Sequence, residues 1–184
     1  MSGNEITIRH ISVDEFDIFR RIRLEALHAE PSSFASSAED WEVLSDEEWR
    51  QRLSDPVFVA FRDDQPVGVM GLLRQRSSKM AHRATLIMVY VRKDLRGVGL
   101  AKDLLDTVIT YALSEGIVQL ELIVSSENPR TVNFYRREGF SEIGRIPGGV
   151  RHSGREIDDI MMARRLMDLR RVRTCDSESG RDGD

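Results

Sequence analysis

The residues best suited to chemistry form a glycine-containing segment in the middle of the chain, Arg96-Gly97-Val98-Gly99-Leu100-Ala101. An apolar stretch with strand character precedes it, and a stretch with helical apolar spacing follows it. Glycines let the backbone approach a ligand closely, and the N–H groups that begin a helix have no intrahelical acceptor. Such N–H groups, together with the positive end of the helix dipole, bind phosphate. The segment therefore predicts a backbone phosphate site, to which the Arg96 guanidinium adds a charged contact.

The same segment is also compatible with a plain strand-to-helix turn, because glycine serves tight turns as well. Two nucleotide-binding motifs are excluded by residue type. A P-loop has Gly-Lys-Ser/Thr at the helix start, whereas this chain has Gly99-Leu100-Ala101. A Rossmann fingerprint needs a third glycine and an acidic residue about 20 positions on, after the first strand of a βαβ unit. Here the segment lies in mid-chain, after several predicted strands.

A second informative segment lies about 30 residues downstream and contains Asn128-Pro129-Arg130, Phe134-Tyr135-Arg136-Arg137 and Gly139-Phe140. In residue type, order and spacing, the two segments together resemble the motifs of the GNAT superfamily of N-acetyltransferases. The resemblance covers roughly residues 5 to 167 and is densest from 84 to 140. Agreement of both motifs, their order and their spacing rarely arises by chance. It identifies the superfamily, although a fold family does not by itself define a substrate.

The resemblance implies that the cofactor is acetyl-CoA (CoA) and that particular residues bind it. The family's pyrophosphate site maps onto residues 96–101 of this chain. In the family, the preceding strand carries a bulge and splays from its neighbour, and the pantetheine arm pairs with free backbone groups there. In this chain those groups belong to Val89, Tyr90 and Val91. Asn128 takes the position of the family's cofactor-contacting asparagine.

The resemblance also places Tyr135 at the position of a tyrosine that lies near the thioester sulfur. When an amine attacks the thioester, the departing CoA thiolate needs a proton or a hydrogen bond, since its acid has a pKa of about 8.5. A phenol with a pKa of about 10 can supply it. Tyr135 is therefore predicted to be the catalytic acid. The alternative is a helix tyrosine that packs through its ring alone.

A general base is harder to assign. A protonated alkylamine has a pKa of about 10.4 and must lose a proton before it attacks. Many relatives carry a glutamate near the start of the strand that precedes the glycine segment, in an Ala-Glu-Leu sequence, whereas this chain has Ala84-Thr85-Leu86. Thr85 could hold a water molecule. Glu121 lies on the next predicted strand, where its alternation with Leu120 and Leu122 favours a solvated face. The sequence assigns no base.

The acceptor is expected to contact two loops, residues 31–41 and residues 147–156. In the first loop an aromatic wall and a carboxylate could frame an amine, supplied by Phe34, Glu39 and Trp41. In the second loop basic side chains would instead favour a carboxylate-bearing acceptor, supplied by Arg151, His152 and Arg155. An ordinary surface loop is the simpler interpretation of both sets.

These segments depend on a predicted series of strands and helices. Apolar runs and alternation predict strands at residues 6–8, 57–61, 67–73, 84–91, 118–124, 140–146 and 157–162. Helical spacing and capping signals predict helices after Ser12 or Asp14, from Asp46, from 100 to 115 and from 129 to 138. Residues 147–155 are predicted to be a polar loop. The fold class is α/β (α+β), a GNAT-like mixed, mostly antiparallel central sheet of about six or seven strands with a splayed pair and flanking helices.

Composition limits the domain organisation and the partners. The 184 residues fit one GNAT-like domain over 5–167, and residues 168–184 form a polar tail that is predicted to be disordered. The net charge of −4 argues against broad non-specific binding to nucleic acid. No apolar run reaches the roughly 20 residues of a membrane helix, and no signal peptide is recognised, so a cytoplasmic location is expected. The single cysteine, Cys175, allows no internal disulfide, and no metal-ligand spacing is found.

The resemblance thus predicts an acetyl-CoA-dependent N-acetyltransferase. It would transfer an acetyl group to a primary amine of a small molecule, by direct transfer in a ternary complex. Two alternatives are a catalytically silent acyl-CoA-binding sensor and an acetyltransferase that acts on a peptide or protein amine. An interaction protein that has lost the cofactor is a third, disfavoured by the intact glycine segment. By analogy with relatives, a homodimer is expected.

Overall fold

The computed structural model describes residues 5–166, in which an open seven-stranded sheet carries helices on both faces. The strands are β1 (Ile6–His10), β2 (Val57–Arg62), β3 (Gln65–Arg74), β4 (Arg83–Val91), β5 (Gln119–Ser125), β6 (Ser141–His152) and β7 (Arg155–Arg165). The helices are α1 (Phe16–Ala29), α2 (Ala38–Glu42), α3 (Asp46–Arg52), α4 (Leu100–Ser114) and α5 (Pro129–Arg137). The strand order is β1-β2-β3-β4-β5-β7-β6, and only β4 and β5 are parallel. The predicted fold class is confirmed, whereas Cys175 and residues 168–184 lie outside the described residues.

The parallel pair β4 and β5 separates soon after it forms. Only residues 83–85 of β4 pair with residues 119–121 of β5. Beyond them β4 continues to pair with β3, and β5 continues to pair with β7, so a gap opens between the two strands. A bulge interrupts β4 at Met88, whose φ of +56° is in the left-handed region. Such a bulge increases local twist and turns the rest of the strand away from its neighbour.

Apolar side chains bury the sheet on two sides. The face covered by α4 and α5, here called the α4 face, includes the fully buried Leu104 and Leu105 of α4. The opposite face, covered by α1, α2 and α3, is the α1 face and includes an edge-to-face contact of Phe19 with Trp49, whose centroids are 5.5 Å apart. Each fully buried leucine or phenylalanine stabilises the fold by about 1.5–3 kcal/mol. Helices held this firmly fix the edges of the gap between β4 and β5.

The prediction of a polar loop at residues 147–155 is wrong. β6 continues to His152, and β7 begins at Arg155 after a two-residue turn of Ser153 and Gly154, both with positive φ. The sequence pattern misleads because most of this hairpin is solvated on both sides, so no apolar alternation marks it. A register shift between Ile146 and Val150 accommodates the intervening proline and glycines.

The predicted loop at residues 31–41 is also partly helical. A single 3-10 turn covers Pro31–Ser33, and α2 begins at Ala38. Ser37 caps α2 by accepting a hydrogen bond from the Asp40 N–H at 3.3 Å. The helix is only five residues long, which is too short for helical periodicity to show in the sequence.

Candidate functional site

A cavity of about 1290 Å³ lies where β4 and β5 separate. It is lined by β4 residues 85–91, by the glycine segment, by β5 residues 122–125, by side chains of α5 and by residues 32–36. Arg23 and Trp41 of the α1 face and Tyr135 of the α4 face contribute to the same lining. Elements of both sheet faces therefore meet at one opening.

The glycine segment presents unpaired backbone donors at this cavity. Gly97 and Gly99 have φ values of +82° and +96°, and a Cβ at either position would meet nothing within 4 Å. Glycine is required there by backbone conformation rather than by space. Gly99 is the N-cap of α4. Within residues 5–166, no backbone or side-chain acceptor takes a hydrogen bond from the N–H groups of Gly97, Val98, Gly99, Leu100 or Ala101.

Two of those residues contribute only their backbone. The Val98 side chain is 68% exposed, and the Leu100 side chain is buried in the core beneath the loop. Neither lines the cavity, whereas Arg96, Gly97, Gly99 and Ala101 do. The arrangement suits an anion, because Gly97, Gly99 and Ala101 line the cavity with N–H groups that have no acceptor among residues 5–166, beside the positive end of the α4 dipole.

The cationic side chains beside these donors are already engaged. Arg96 Nε donates to the Val91 carbonyl at 2.9 Å, and Arg96 Nη2 donates to Glu30 Oε1 at 3.0 Å. Lys102 forms an ion pair with Asp106, one turn further along α4. Arg96 therefore ties the glycine segment to β4 and to the end of α1. The backbone N–H groups of the glycine segment remain without acceptors among residues 5–166.

On β4, the residues expected to face the pantetheine arm lie just after the bulge. Tyr90 and Val91 pair with β3, while Val89 has no partner there because the register shifts. The Tyr90 hydroxyl donates to Glu25 Oε1 at 3.2 Å. Burial, and then the neighbouring Glu25 carboxylate, raise the pKa of Tyr90 to about 12. This contact anchors β4 to α1.

Asn128 and Tyr135 are both held by α5. Asn128 caps the helix, with Oδ1 accepting a hydrogen bond from the Thr131 N–H at 3.2 Å. Tyr135 is 3% exposed, and its ring packs edge-on between Phe134 and Phe140 at centroid distances of 5.2 and 5.4 Å. Burial raises the pKa of its phenol well above the ordinary value. Tyr135 thus reaches the cavity as a protonated group.

Glu121 is held in a structural ion pair. Arg83 donates to it twice, from Nε to Oε1 at 2.5 Å and from Nη2 to Oε2 at 2.8 Å. Hydrogen bonds from Arg83 lower the pKa of Glu121, and Gln119 adds a further donor. Thr85 lies opposite Glu121 in the parallel ladder and does line the cavity, but Glu121 does not. The chain therefore offers no carboxylate at the position where many relatives carry a glutamate.

Three carboxylates line the cavity elsewhere: Glu30, Asp55 and Glu127. Glu30 is paired with Arg96, and Glu127 accepts from Arg155 Nη2 at 3.0 Å. The side chain of Asp55 is 17% exposed, and its nearest cation, Nη2 of Arg76, lies 3.9 Å from Oδ2. Its Oδ1 also accepts a hydrogen bond from the Arg74 N–H at 3.3 Å, so Asp55 has a backbone donor and the most distant cation of the three carboxylates. Sequence reasoning missed it because a single aspartate before a proline carries no motif.

The aromatic residues expected to frame an amine instead hold a cation of the protein itself. The Arg23 guanidinium carbon lies 4.7 Å from the Phe34 ring centroid and 4.5 Å from that of Trp41. Glu39 is exposed and does not line the cavity. Of the three side chains, Phe34 and Trp41 line the cavity and Glu39 does not, and their contact with an amine stays a prediction. Arg23 occupies that place, and the sequence signal for it was a charged residue within the apolar stripe of α1.

The second acceptor loop also lies elsewhere. Arg151 pairs with Glu156 at 2.8 Å on the β6–β7 hairpin, and Arg155 pairs with Glu127. Neither these arginines nor His152 line the cavity. The basic set predicted at residues 151–155 is therefore engaged on the hairpin surface, because the segment is strand rather than a loop folded over the site.

A splayed pair of strands, a β4 bulge and a glycine turn that begins a helix together define the acyl-CoA N-acyltransferase class of fold. A model of the acetyltransferase (GNAT) family matches residues 21–140. The chain therefore belongs to the GNAT family of acetyltransferases.

Curated relatives agree with this assignment. An uncharacterised N-acetyltransferase of Methanocaldococcus jannaschii is 28% identical over 147 residues, which cover 79% of this chain and 65% of that protein. An L-methionine sulfoximine/L-methionine sulfone acetyltransferase of Pseudomonas aeruginosa is 36% identical over 70 residues, or 38% of this chain and 41% of that protein. The chain thus spans less than two thirds of either relative.

Solved structures share the fold. The structure of a GNAT-family acetyltransferase from Streptococcus pneumoniae gives a TM-score of 0.78 at 22% identity, over 89% of this chain and 100% of that one. The structure of an acetyltransferase from Salmonella typhimurium with acetyl-CoA gives a TM-score of 0.71 at 20% identity. The match covers 89% of this chain and 95% of that one.

Two further properties concern residues 5–166 only. No helix in this part of the chain is both long and apolar enough to cross a membrane. No group of three or more histidine, cysteine, aspartate or glutamate side chains in it is arranged to hold a metal ion.

Proposed function

We propose that this protein is an acetyl-CoA-dependent N-acetyltransferase that acetylates a primary amine of a small molecule by direct transfer in a ternary complex. The observation that carries the proposal is the row of backbone N–H groups without acceptors, from Gly97 to Ala101, at the cavity edge. The acetyl-CoA in the Salmonella neighbour supports the cofactor. The sulfoximine and sulfone named for the Pseudomonas relative are small molecules, which supports the acceptor class.

In this proposal the pyrophosphate of CoA accepts hydrogen bonds from the N–H groups of 97–101, and backbone groups of β4 bind the pantetheine arm. Because Arg96 already satisfies the Val91 carbonyl, we expect these contacts to come chiefly from Val89 and Tyr90. Asn128 has its Oδ1 occupied by the helix cap, so its amide nitrogen is the group available to donate. Acetyl-CoA itself supplies the activated acyl group.

Tyr135 then acts on the departing sulfur. Since burial raises the pKa of its phenol, Tyr135 stays protonated throughout the working pH range. A thiol has a pKa of about 8.5, below that of the buried phenol, so complete proton transfer from Tyr135 to the thiolate is unfavourable. Tyr135 therefore acts first as a hydrogen-bond donor to the developing thiolate. Burial also raises the pKa of a thiol in the same cavity, which reduces the difference between the pKa values of the thiol and the phenol.

The acceptor ammonium must lose a proton before it attacks. Thr85 replaces the glutamate of many relatives, and Glu121 is held by Arg83. We propose Asp55 as the group that receives this proton, directly or through water, because its ion pair is the longest among the three carboxylates that line the cavity. An Asp55→Asn variant is expected to lose activity most strongly below the pKa of the acceptor amine.

The proposal is tested by calorimetry with CoA and by a thiol-release assay with acetyl-CoA and a panel of primary amines and amine-bearing peptides. Binding together with turnover of a small amine supports it. Binding without turnover of any amine favours the acyl-CoA sensor, and turnover of peptides alone favours a protein acetyltransferase. Failure to bind CoA contradicts all three.

The order of the reaction has its own test. Direct transfer requires both substrates on the protein at once, so double-reciprocal plots at several amine concentrations should intersect. Parallel lines would indicate a covalent acetyl-enzyme and would contradict direct transfer.

A further inference from the structure

Arg23, in the middle of α1, is a buried cation that has no counter-ion in the described part of the chain. Its residue is 3% exposed, and its Nε and Nη1 atoms are enclosed without a hydrogen-bond partner among residues 5–166. Burial, and then the nearby Arg52, lower the pKa of Arg23 to about 10, so the guanidinium remains charged at neutral pH. A buried charge without a partner is costly and is normally avoided in a protein core.

Arg20, one turn earlier on α1, is a structural arginine with which Arg23 can be compared. Arg20 also lies over aromatic rings, with its guanidinium carbon 5.2 Å from the Phe16 centroid and 5.6 Å from that of Trp49. Its Nε is also enclosed without a partner among residues 5–166, but its guanidinium is paired with carboxylates, in ion pairs with Asp46 and with Asp17. Packing against aromatic rings thus accounts for neither the burial nor the isolation of Arg23.

The guanidinium of Arg23 is held at the cavity. Phe34 and Trp41 contact it through their rings, and Arg52 lies against the same indole, 4.4 Å from its centroid. All four residues line the cavity. Ring contacts of this kind partly offset the desolvation of a cation and fix its position without neutralising its charge. Two arginines therefore present positive charge to the α1-face end of the cavity.

This charge is separate from the donors proposed for the pyrophosphate. Those N–H groups begin α4, on the opposite sheet face. The end of α1 contacts the glycine segment through the Glu30–Arg96 ion pair. Arg23 precedes Glu30 by seven residues, or about 10 Å along a helix. An anion bound at Arg23 is therefore a separate group from the pyrophosphate proposed to bind at α4.

We propose that Arg23 is the acceptor-binding cation and that the acceptor is a primary amine that also carries a carboxylate, an amino acid or similar amino-carboxylate. The inference depends on the proposed transferase function and defines its substrate class. A guanidinium forms short, charge-assisted hydrogen bonds with a carboxylate, and the missing counter-ion of Arg23 is then supplied by the substrate. Arg52, which is exposed, assists by its charge.

The experiment compares L-amino acids with their carboxamides, which keep the amine and lose the carboxylate charge. The wild-type protein is expected to acetylate a preferred amino acid with kcat/KM about 10- to 100-fold above that of its carboxamide. Arg23→Met should remove this preference by raising KM for the amino acid, while KM for acetyl-CoA stays unchanged. Arg23→Lys keeps the positive charge but loses the paired N–H donors of the guanidinium, and it should retain part of the preference.

Arg20→Met is the matched control, one turn away on the same helix. It should lower the melting temperature, because it leaves Asp46 without its cation, and it should keep the wild-type preference for carboxylates. Arg23→Met should melt at or above the wild-type temperature, because it removes an isolated buried charge. An Arg23→Met variant that melts well below wild type and keeps the carboxylate preference would show a purely structural arginine and overturn the proposal.

The outcomes separate this proposal from the transferase function. Equal turnover of amino acids and carboxamides overturns the substrate class and leaves the transferase intact. If CoA binds but no amine is acetylated, the transferase function fails. Thermal shift with L-amino acids and CoA present then decides whether Arg23 binds a carboxylate, since a shift lost in Arg23→Met supports it and no shift overturns it. If Arg23→Met bound CoA more weakly than the wild type but bound dephospho-CoA equally well, Arg23 would be a contact of the cofactor phosphate. That result would also overturn the proposal.

Discussion

The two ends of the cavity present different chemical groups. At the α4 end, the backbone N–H groups of residues 97–101 have no acceptors among residues 5–166, and the nearby cations Arg96 and Lys102 are already paired. At the α1 end, the available groups are side chains, above all the unpaired Arg23 between two aromatic rings. The first end depends on backbone conformation, and the second depends on which side chains the fold brings together.

This difference explains why one family serves many substrates. A backbone site is encoded by a few glycines in one short segment, so it persists while the remaining side chains vary. A side-chain site is assembled from α1, α2 and α3, and each substitution there alters its chemistry. The family model covers residues 21–140 and so includes residues of both ends.

The largest expected effect concerns the chemistry assigned to the α4 face. Tyr135→Phe should lower kcat by about 100-fold or more, because the departing thiolate loses its donor. KM for acetyl-CoA should change little, since the ring packing against Phe134 and Phe140 is preserved.

Tyr111→Phe is the matched control for that variant. Tyr111 lies on α4 against Phe58, away from the cavity lining, and its replacement should leave kcat unchanged. Full turnover by Tyr135→Phe would remove the acid role and leave Tyr135 as a packing residue.

A second test asks whether the α4 end binds through its backbone. Gly99→Ala should raise KM for acetyl-CoA about 10-fold, because alanine disfavours the φ of +96° and shifts the N–H groups. The paired change, Gly116→Ala, has a similar φ of +77° and equally open space at the other end of α4. Both variants should lose about 1 kcal/mol of stability, but only the first should alter KM. Equal KM values for the two would show that the backbone donors do not bind the cofactor.

The pH dependence of the rate provides a third test. An ordinary tyrosine phenol ionises at a pKa of about 10, which would stop it donating at alkaline pH. Burial raises the pKa of Tyr135, so its protonated form persists to higher pH. We expect kcat to rise with pH as the acceptor amine loses its proton and to show no decline up to about pH 10. A decline that begins between about pH 8 and 9 in the wild type and is absent in Tyr135→Phe would contradict the raised pKa.

The smallest expected effect is a loss of stability from a substitution next to α1 that leaves the α4 face unchanged. Glu15 accepts from Arg9 Nη2 at 2.6 Å and from the Ser12 N–H at 2.9 Å. These contacts, Arg9 first, lower the pKa of Glu15 to about 2. The resulting stability is present above the unfolded pKa of about 4.3 and is lost as pH falls towards 2. Because Arg9 is half exposed, Glu15→Gln should cost only about 0.5–1 kcal/mol at pH 7, and nothing near pH 2.

Asp14→Asn, in the same turn, is the control for Glu15. Asp14 makes no ion pair within the described part of the chain, so its replacement should leave the unfolding free energy at pH 7 nearly unchanged. Chemical denaturation measures the free energies, and KM for acetyl-CoA should be the same in both variants. A change in that KM for Glu15→Gln would show that the two ends of the cavity are coupled.

Most of the fold was predictable from the sequence because its elements have strong local signals. The strand before residue 96, the glycine turn, α4 with its apolar stripe and α5 between Pro129 and Gly139 all lie within about 55 consecutive residues. The β6–β7 hairpin was partly missed, since a strand solvated on both sides shows no apolar alternation.

By itself, the sequence determined the fold family and the position of the backbone donors, because glycine acts on the conformation of its own residue and a helix begins next to it. Only the tertiary structure decided the other end of the cavity. It placed Arg23 between Phe34 and Trp41, left Asp55 loosely paired beside the opening, and took Arg151 and His152 away from it. The physical reason is that a charge is defined by its neighbours in space. Arg20 and Arg23 are the same residue type on the same helix, and only the carboxylates brought near the first of them distinguish a structural arginine from one proposed to bind substrate.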